Sequence, residues 1–441
     1  MIDRPIAYND GRLDNHPFQD LLVYYSPRKD NDMNRLIAGL AVLCVAAGCG
    51  RPDRGPTETA SSETPSHEDA VRLAQKTIII DTHIDVPYRL NHKMEDISKR
   101  TESGQFDFVR AKEGGLDAAF MSIFTPAEME EKGTSKALAD SLIDLVESIV
   151  AASPGEFALA TSPDDVEKNF KSGVISMCLG MENGSPIEGD LGNLRHFFDR
   201  GIRYITLAHG KDNHISDSSY DTTHTWGGLS DFGKKVVPEM NRLGIMIDVS
   251  HVSDDAFYQI VELTSAPVIA SHSSCRYFTP GFERNMSDDM IKRLAQNGGV
   301  IQINFGSTFI TSEANQWWNQ FDQDVEHYLD EHHFASDSEE AREYRDGYRE
   351  SHPFPYADVS DVADHIDHVV KLVGVDYVGL GSDFDGVGDS LPTGLKDVSM
   401  YPNLIQELLD RGYSEDNIRK IAYQNLFRVW REVERIAQQS G

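Results

Sequence analysis

From Thr77 onward the chain alternates between short runs of consecutive apolar residues and longer stretches where apolar positions recur every three or four residues. Continuous apolar runs mark strands buried on both faces, and the helical period marks amphipathic helices. Their regular alternation predicts βα units around a parallel sheet. Eight strand segments are legible: "TIIIDTHID", "LDAAFMSIFT", "GVISMCLGME", "IRYITLAHG", "IMIDVSHVS", "PVIASHSS", "GVIQINFG" and "YVGLGSDFDG". Helical patterns lie between them, among them "GNLRHFFDRG", "DDAFYQIVEL", "SDDMIKRLAQNGG" and "DVADHIDHVVKLVG", several of which stop at glycine. Eight such units predict an α/β fold of the (β/α)8 TIM-barrel type. A doubly wound open sheet is the alternative, but no glycine-rich phosphate loop follows the first strand.

Ahead of the barrel the pattern changes. "MNRLIAGLAVLCVAAGCG" (33–50) has a basic start at Arg35, an apolar run from Leu36 to Ala47 and small residues before Cys49. The run is well short of the ~20 residues that span a bilayer and fits the apolar region of a signal peptide. Its ending resembles a bacterial lipobox, which implies a lipoprotein signal over 33–49, lipidation at Cys49 and a cell-envelope location. Gly50 after that cysteine favours the outer membrane, on its periplasmic side. Residues 1–32 would bury a signal that works at an N-terminus, so translation is expected to start at Met33, with 1–32 a mis-assigned extension. Residues 50–68 are rich in Pro, Thr, Ser and Glu and read as a disordered tether. The catalytic body is placed at 69–441. It carries an acidic, aromatic insertion at 306–358 that is either a helical lid or a solvated excursion.

Composition narrows the function. A formal net charge of −31 over 441 residues argues against a nucleic-acid partner, because phosphate binding needs a basic footprint. Two cysteines in the body, Cys178 and Cys275, make neither a disulfide framework nor a zinc-finger spacing and read as buried thiols.

The polar residues inside the strands carry the chemistry. Asp81, His83 and Asp85 are spaced two apart, which in a regular strand puts all three on one face. His83 and Asp85 end the first strand, and Glu182, His209, His251, His272 and Asp383 end the third, fourth, fifth, sixth and eighth. In a barrel those ends converge on one mouth. Imidazole and carboxylate without thiolate suit zinc or a similar divalent ion. The number of donors exceeds one tetrahedral site, so two metals sharing a carboxylate are expected, ~3.5–4 Å apart with an activated water between them. His365 and His368 have helical spacing but no partner ligands, and read as the flank of a helix whose stripe is Val362, Ile366, Val369 and Val373. His332 and His333 read as solvated.

With these residues in view, the chain resembles the membrane (renal-type) dipeptidase family of the amidohydrolase superfamily, over roughly Thr77–Trp430. The stretches that match are "DTHIDVP", "GMENGSPI", "LAHG", "DVSHVS", "SHSS", "ERNMSDD" and "GLGSDFDG". The resemblance implies a zinc dipeptidase with two zinc ions per chain: His83 and Asp85 on the first, Glu182 bridging, His251 and His272 on the second. It also implies that His209, Arg284 and Asp383 bind substrate, with Asp383 and His209 the catalytic pair that handles protons. Thr82, Ile84 and Ser382 depart from the family's usual residues; none is a ligand, so substrate fit is what they affect. Asp81 is expected to orient a ligand from behind. Dipeptides are the expected substrates, Cys49 the expected membrane contact and a homodimer the expected assembly. The competing readings are another amidohydrolase reaction on the same centre, such as N-acyl amino acid deacylation or lactone opening, and a non-catalytic binding lipoprotein.

Overall fold

The computed structural model describes residues 65–440. The expected signal, Cys49 and nearly all of the tether lie outside the described residues. The first described helix, His67–Lys76, begins behind Ser66, whose side chain and that of Asp69 form a reciprocal cap. Among the described residues no helix is long and apolar enough to cross a membrane.

Nine strands follow: β1 (Ile80–Ile84), β2 (Ala118–Phe124), β3 (Phe157–Leu159), β4 (Ile175–Glu182), β5 (Ile202–Thr206), β6 (Met246–Asp248), β7 (Ile269–Ala270), β8 (Val300–Ile303) and β9 (Val378–Leu380). All pairings are parallel, in the order β1-β2-β4-β5-β6-β7-β8-β9, with β3 paired only to the start of β4. A parallel bridge between Ile84 and Phe384 joins the last strand's end to the first, so the sheet closes. This is the predicted barrel rather than the open sheet. β3 was not foreseen. It is three residues long, and its sequence lacks the length that lets a strand be read from pattern alone.

β1, β2 and β4 are buried throughout because apolar groups pack on both faces. Inside, Ile78, Ile80, Phe120, Cys178, Tyr204, Met246, Ile269 and Val300 fill the barrel, and Leu426, Phe427 and Trp430 of the C-terminal helix (Asn425–Ser440) plug this core. Trp430 stacks obliquely on Phe120 with ring centroids 5.2 Å apart. Both body cysteines are free and buried, as expected.

The helices start and stop where the sequence signals them. Ser253 and Ser287 cap Asp254–Leu263 and Asp288–Asn297 by accepting from backbone N–H groups three residues on, and the second ends at Gly298 in the left-handed conformation. The acidic insertion is helical, with Ser312–His332 and Glu339–Ser351 joined as a hairpin. Trp317, Phe321, Tyr348 and Phe354 pack against one another, giving the hairpin an aromatic core of its own.

Candidate metal centre

Seven of the predicted site residues arrive at the carboxyl ends of the strands, and Arg284 lies in the loop after β7. His83 lies in β1, Asp85 directly follows it, and Glu182 is the last residue of β4. His209, His251 and Asp383 stand three residues beyond β5, β6 and β9, and His272 two beyond β7. None of the seven is more than 8% exposed. Closure of the barrel does part of the placing: Asp383 N–H donates to His83 O (3.0 Å) and Asp85 N–H to Phe384 O (2.9 Å), which sets Asp383 beside His83 and Asp85. His251 and Asp383 hold left-handed backbone (φ 66° and 65°). For a residue with a Cβ this costs roughly 1–2 kcal/mol and is found where the surroundings require one direction of a side chain.

Glu182 is the hub. Its Oε2 faces His83 Nε2 (3.2 Å) and accepts from Ser122 Oγ (3.0 Å); its Oε1 faces Nε2 of His251 (3.2 Å), His272 (3.3 Å) and His209 (3.4 Å). Asp85 Oδ2 is 3.5 Å from His83 Nε2. Three donor groups could each hold an ion: His83, Glu182 and His272; Glu182, His209 and His251; and His83, Asp85 and Asp383. Position alone thus counts His209 and Asp383, assigned by the sequence to substrate and protons, among the metal-capable groups.

The donor chemistry fits divalent cations. Asp248 accepts four hydrogen bonds, including one from the Ser271 hydroxyl (2.6 Å), so Ser271 Oγ can only accept from His272 Nδ1–H (2.7 Å). That fixes the tautomer and leaves His272 Nε2 with a bare lone pair, 2.8 Å from His251 Nε2. His83 Nδ1 is 2.7 Å from the Tyr204 hydroxyl, while its buried Nε2 has no hydrogen-bond partner. A cation facing these nitrogens satisfies them.

Electrostatics agree. Burial first, then the Arg284 charge, holds His251 well below the usual imidazole range; burial, then His83, does the same to His272. Both are neutral and ligand-competent near neutral pH. Burial also lowers His209. His83 goes the other way: against burial, Tyr204, Glu182 and Asp85 draw a proton onto it. A metal ion takes the place of such a proton when histidine becomes a ligand. Glu182 sits well below its usual value because the surrounding imidazoles outweigh burial. Burial, reinforced by Asp85 and Glu182, pushes Asp383 up to about 8, and Asn304 Nδ2 donates to its Oδ2 (2.7 Å).

Arg284 is 3% exposed, yet among the described residues no carboxylate lies within ion-pair distance of it. Nη1 donates to Ser273 Oγ (2.8 Å), Nη2 to His272 O (2.7 Å), and Nε is buried without a partner. A buried cation without a direct ion pair is costly. Its tie to the His272 carbonyl places it beside the donor cluster.

The family model for membrane dipeptidases, peptidase family M19, matches residues 67–441. The chain belongs to the membrane dipeptidase family. It is therefore a metallopeptidase by family. Mouse Dipeptidase 3 is 31% identical over 388 residues, covering 86% of this chain and 69% of the mouse protein; the rat counterpart is 30% identical, covering 86% and 70%. Among solved structures, the probable dipeptidase PvdM from Pseudomonas aeruginosa superposes with a TM-score of 0.74 at 28% identity, covering 84% of this chain and 99% of that one. A metallo peptidase from Rhodobacter sphaeroides, solved with a phosphinate mimic of the dipeptide L-Ala-D-Ala, shares the fold (TM-score 0.66, 23% identity, 81% and 99% covered).

One expectation about this membrane dipeptidase fails. Asp81 does not share a face with His83. β1 and β2 slip register between Asp81 and Ile84, three residues on β1 matching two on β2. This bulge turns His83 toward the barrel interior and Tyr204, while Asp81 accepts from the Tyr401 hydroxyl in the outer helix layer. Asp81 still supports the ligand, through the backbone: it accepts from His83 N–H (2.9 Å) and Ser382 N–H (3.0 Å). Both decoy histidines are structural. His365 is buried and receives Cys275 N–H (3.0 Å), and His368 pairs with Asp288 (2.7 Å). Sequence reading missed Tyr204, Asp248, Ser271 and Asn304. A polar residue interrupts an apolar strand at Asp248, the same signal that marked Asp81. Gly386 was missed as well: a Cβ there would lie 2.1 Å from Asp383 Oδ1 and 2.2 Å from Asp85 Oδ2. Only glycine lets those two carboxylates approach each other.

Proposed function

We propose that the protein is a zinc-dependent dipeptidase with two zinc ions per chain bridged by Glu182. The observation that carries this is Arg284, buried beside the donor cluster with no carboxylate of the described residues within ion-pair distance. A peptide with a free α-carboxylate supplies the missing anion, and a planar guanidinium suits it. The two faces of Glu182 support the ligand division: Oε2 with His83 and Asp85, Oε1 with His251 and His272. Zinc bound there would polarise the scissile carbonyl and lower the pKa of water toward neutrality.

The chain's own groups do the rest. Arg284 anchors the carboxylate one residue beyond the scissile bond, which limits the substrate to a dipeptide. His209, neutral and buried, donates to the carbonyl oxygen as charge develops on it. Asp383 takes a proton from the attacking water, the C–N bond breaks, and the same carboxyl returns the proton to the leaving amine. Asn304 holds Asp383 Oδ2 and leaves Oδ1 toward Asp85 and the reacting water.

Arg284→Ala is expected to weaken turnover of a dipeptide by roughly 2–5 kcal/mol in kcat/KM. The matching dipeptide amide, which lacks the carboxylate, should lose little. Equal losses on both substrates would make Arg284 structural and favour a different amidohydrolase reaction.

The same proposal places the enzyme in a bacterial cell envelope, lipid-anchored through Cys49 and facing the periplasm from the outer membrane, with a homodimer as its assembly. Mass spectrometry of the membrane fraction should find a lipidated Cys49 at the mature N-terminus. Native peptides from residues 1–32 would refute the start at Met33.

A further inference from the structure

We infer that Tyr220 is a second recognition group for the substrate's free carboxylate, completing the pocket that Arg284 begins. This rests on the dipeptidase reading above. Tyr220 lies in the long segment after β5, on a stretch that is pinned rather than loose. Ser218 bridges antiparallel to Val252, Ser219 N–H donates to His251 O (2.7 Å), and Ser253 N–H donates to Asp217 O (3.0 Å). The Asp217 carboxylate in turn gathers the N–H groups of Trp226 (2.9 Å) and Gly228 (2.8 Å). The segment is therefore stitched to the loop that carries His251, and Tyr220 has a fixed place over the centre.

Its surroundings are aromatic. The ring stands 5.9 Å from that of His251 and 6.2 Å from that of Phe282. Phe282 continues to Phe309 at 5.7 Å, and the Arg284 guanidinium lies 5.3 Å over Phe309. Tyr220 is close enough for the Arg284 and Asp383 charges to act on its phenol.

The side chain is only 9% exposed, and its hydroxyl makes no hydrogen bond to any described residue. The hydroxyl is not among the buried unpaired polar atoms, so it opens to solvent and is free to meet a ligand. Arg284 Nε is a second unpaired donor at the same aromatic wall. Two unpaired donors, one cationic and one neutral, on rigid supports match the two oxygens of one carboxylate. The chemical class this pocket takes is thus a small anion with a planar carboxylate head, the C-terminal end of a dipeptide.

Calorimetry on the zinc-loaded protein tests this without relying on turnover. The probes are a phosphinate analogue of Ala-Ala with a free C-terminal carboxylate and the same analogue as its carboxamide. Wild type should favour the carboxylate form. Tyr220→Phe, which removes one oxygen and keeps the ring, should bind the carboxylate form roughly 10- to 100-fold more weakly and the amide unchanged. Zinc content and Tm should match wild type. Unchanged binding of the carboxylate form by Tyr220→Phe overturns the inference while leaving the dipeptidase reading intact. Equal weakening of both forms also overturns it, by making Tyr220 a support of the centre. If wild type itself does not distinguish the two forms, the Arg284 pocket falls, and the role of Tyr220 falls with it.

Discussion

Asp383→Asn is expected to keep about two zinc ions per chain and to lose roughly 10²–10⁴-fold in kcat, the usual loss for a positioned general base. The substitution preserves shape. The Asn304 amide, which now donates to Asp383 Oδ2, can still meet the Asn oxygen, and the backbone link to His83 O is untouched. What disappears is the ability to accept a proton from water. Burial, with Asp85 and Glu182, pushes this carboxyl up to about 8, away from the usual carboxylate range and toward neutral pH, where a proton acceptor and later donor works best. The competing outcome follows from its place in the donor group of His83 and Asp85. If Asp383 is a ligand, zinc content falls together with activity. Zinc stoichiometry and kcat measured on one preparation separate the two. Retained metal with near-normal turnover would defeat both and make His209 the next proton carrier to test.

Glu182→Ala is expected to empty both metal positions, leaving less than about one zinc per chain, with activity lost in parallel. Each oxygen of Glu182 serves a different set of imidazoles: Oε2 faces His83, and Oε1 faces His251 and His272. Without it each position keeps two side-chain ligands, below the three that catalytic zinc sites commonly have. Removing it also strips the buried imidazoles of the carboxylate that draws a proton, or a cation, to His83. A neighbouring ligand such as Asp85 should show a graded effect by contrast, with one ion lost and one retained. Elemental analysis of the two variants side by side checks this. Full double occupancy in Glu182→Ala would remove the bridge from the mechanism.

The apolar runs located all eight barrel strands, and the helical period, with glycine stops at several ends, marked helices between them. The seven polar residues at strand ends were legible because a barrel brings those ends together whatever its details. Phe157–Leu159 was not legible, since three residues carry no period. Asp81 was misplaced because strict alternation fails at a bulge, and a bulge belongs to the pairing of two strands, not to either one alone.

By itself, then, the chain determined the architecture, the family to which its motifs point, and which imidazoles and carboxylates meet in one mouth. Those properties follow from local periodicity and from residue type. Tertiary structure decided the rest: that Glu182 faces imidazoles on both of its oxygens, that Asp248 and Ser271 set the tautomer of His272, and that Gly386 admits two carboxylates side by side. It also decided that Arg284 is buried with no direct ion pair among the described residues. These depend on distances between residues far apart in sequence and on how completely water is excluded around them. Hydrogen-bond satisfaction and desolvation exist only once the strands have closed.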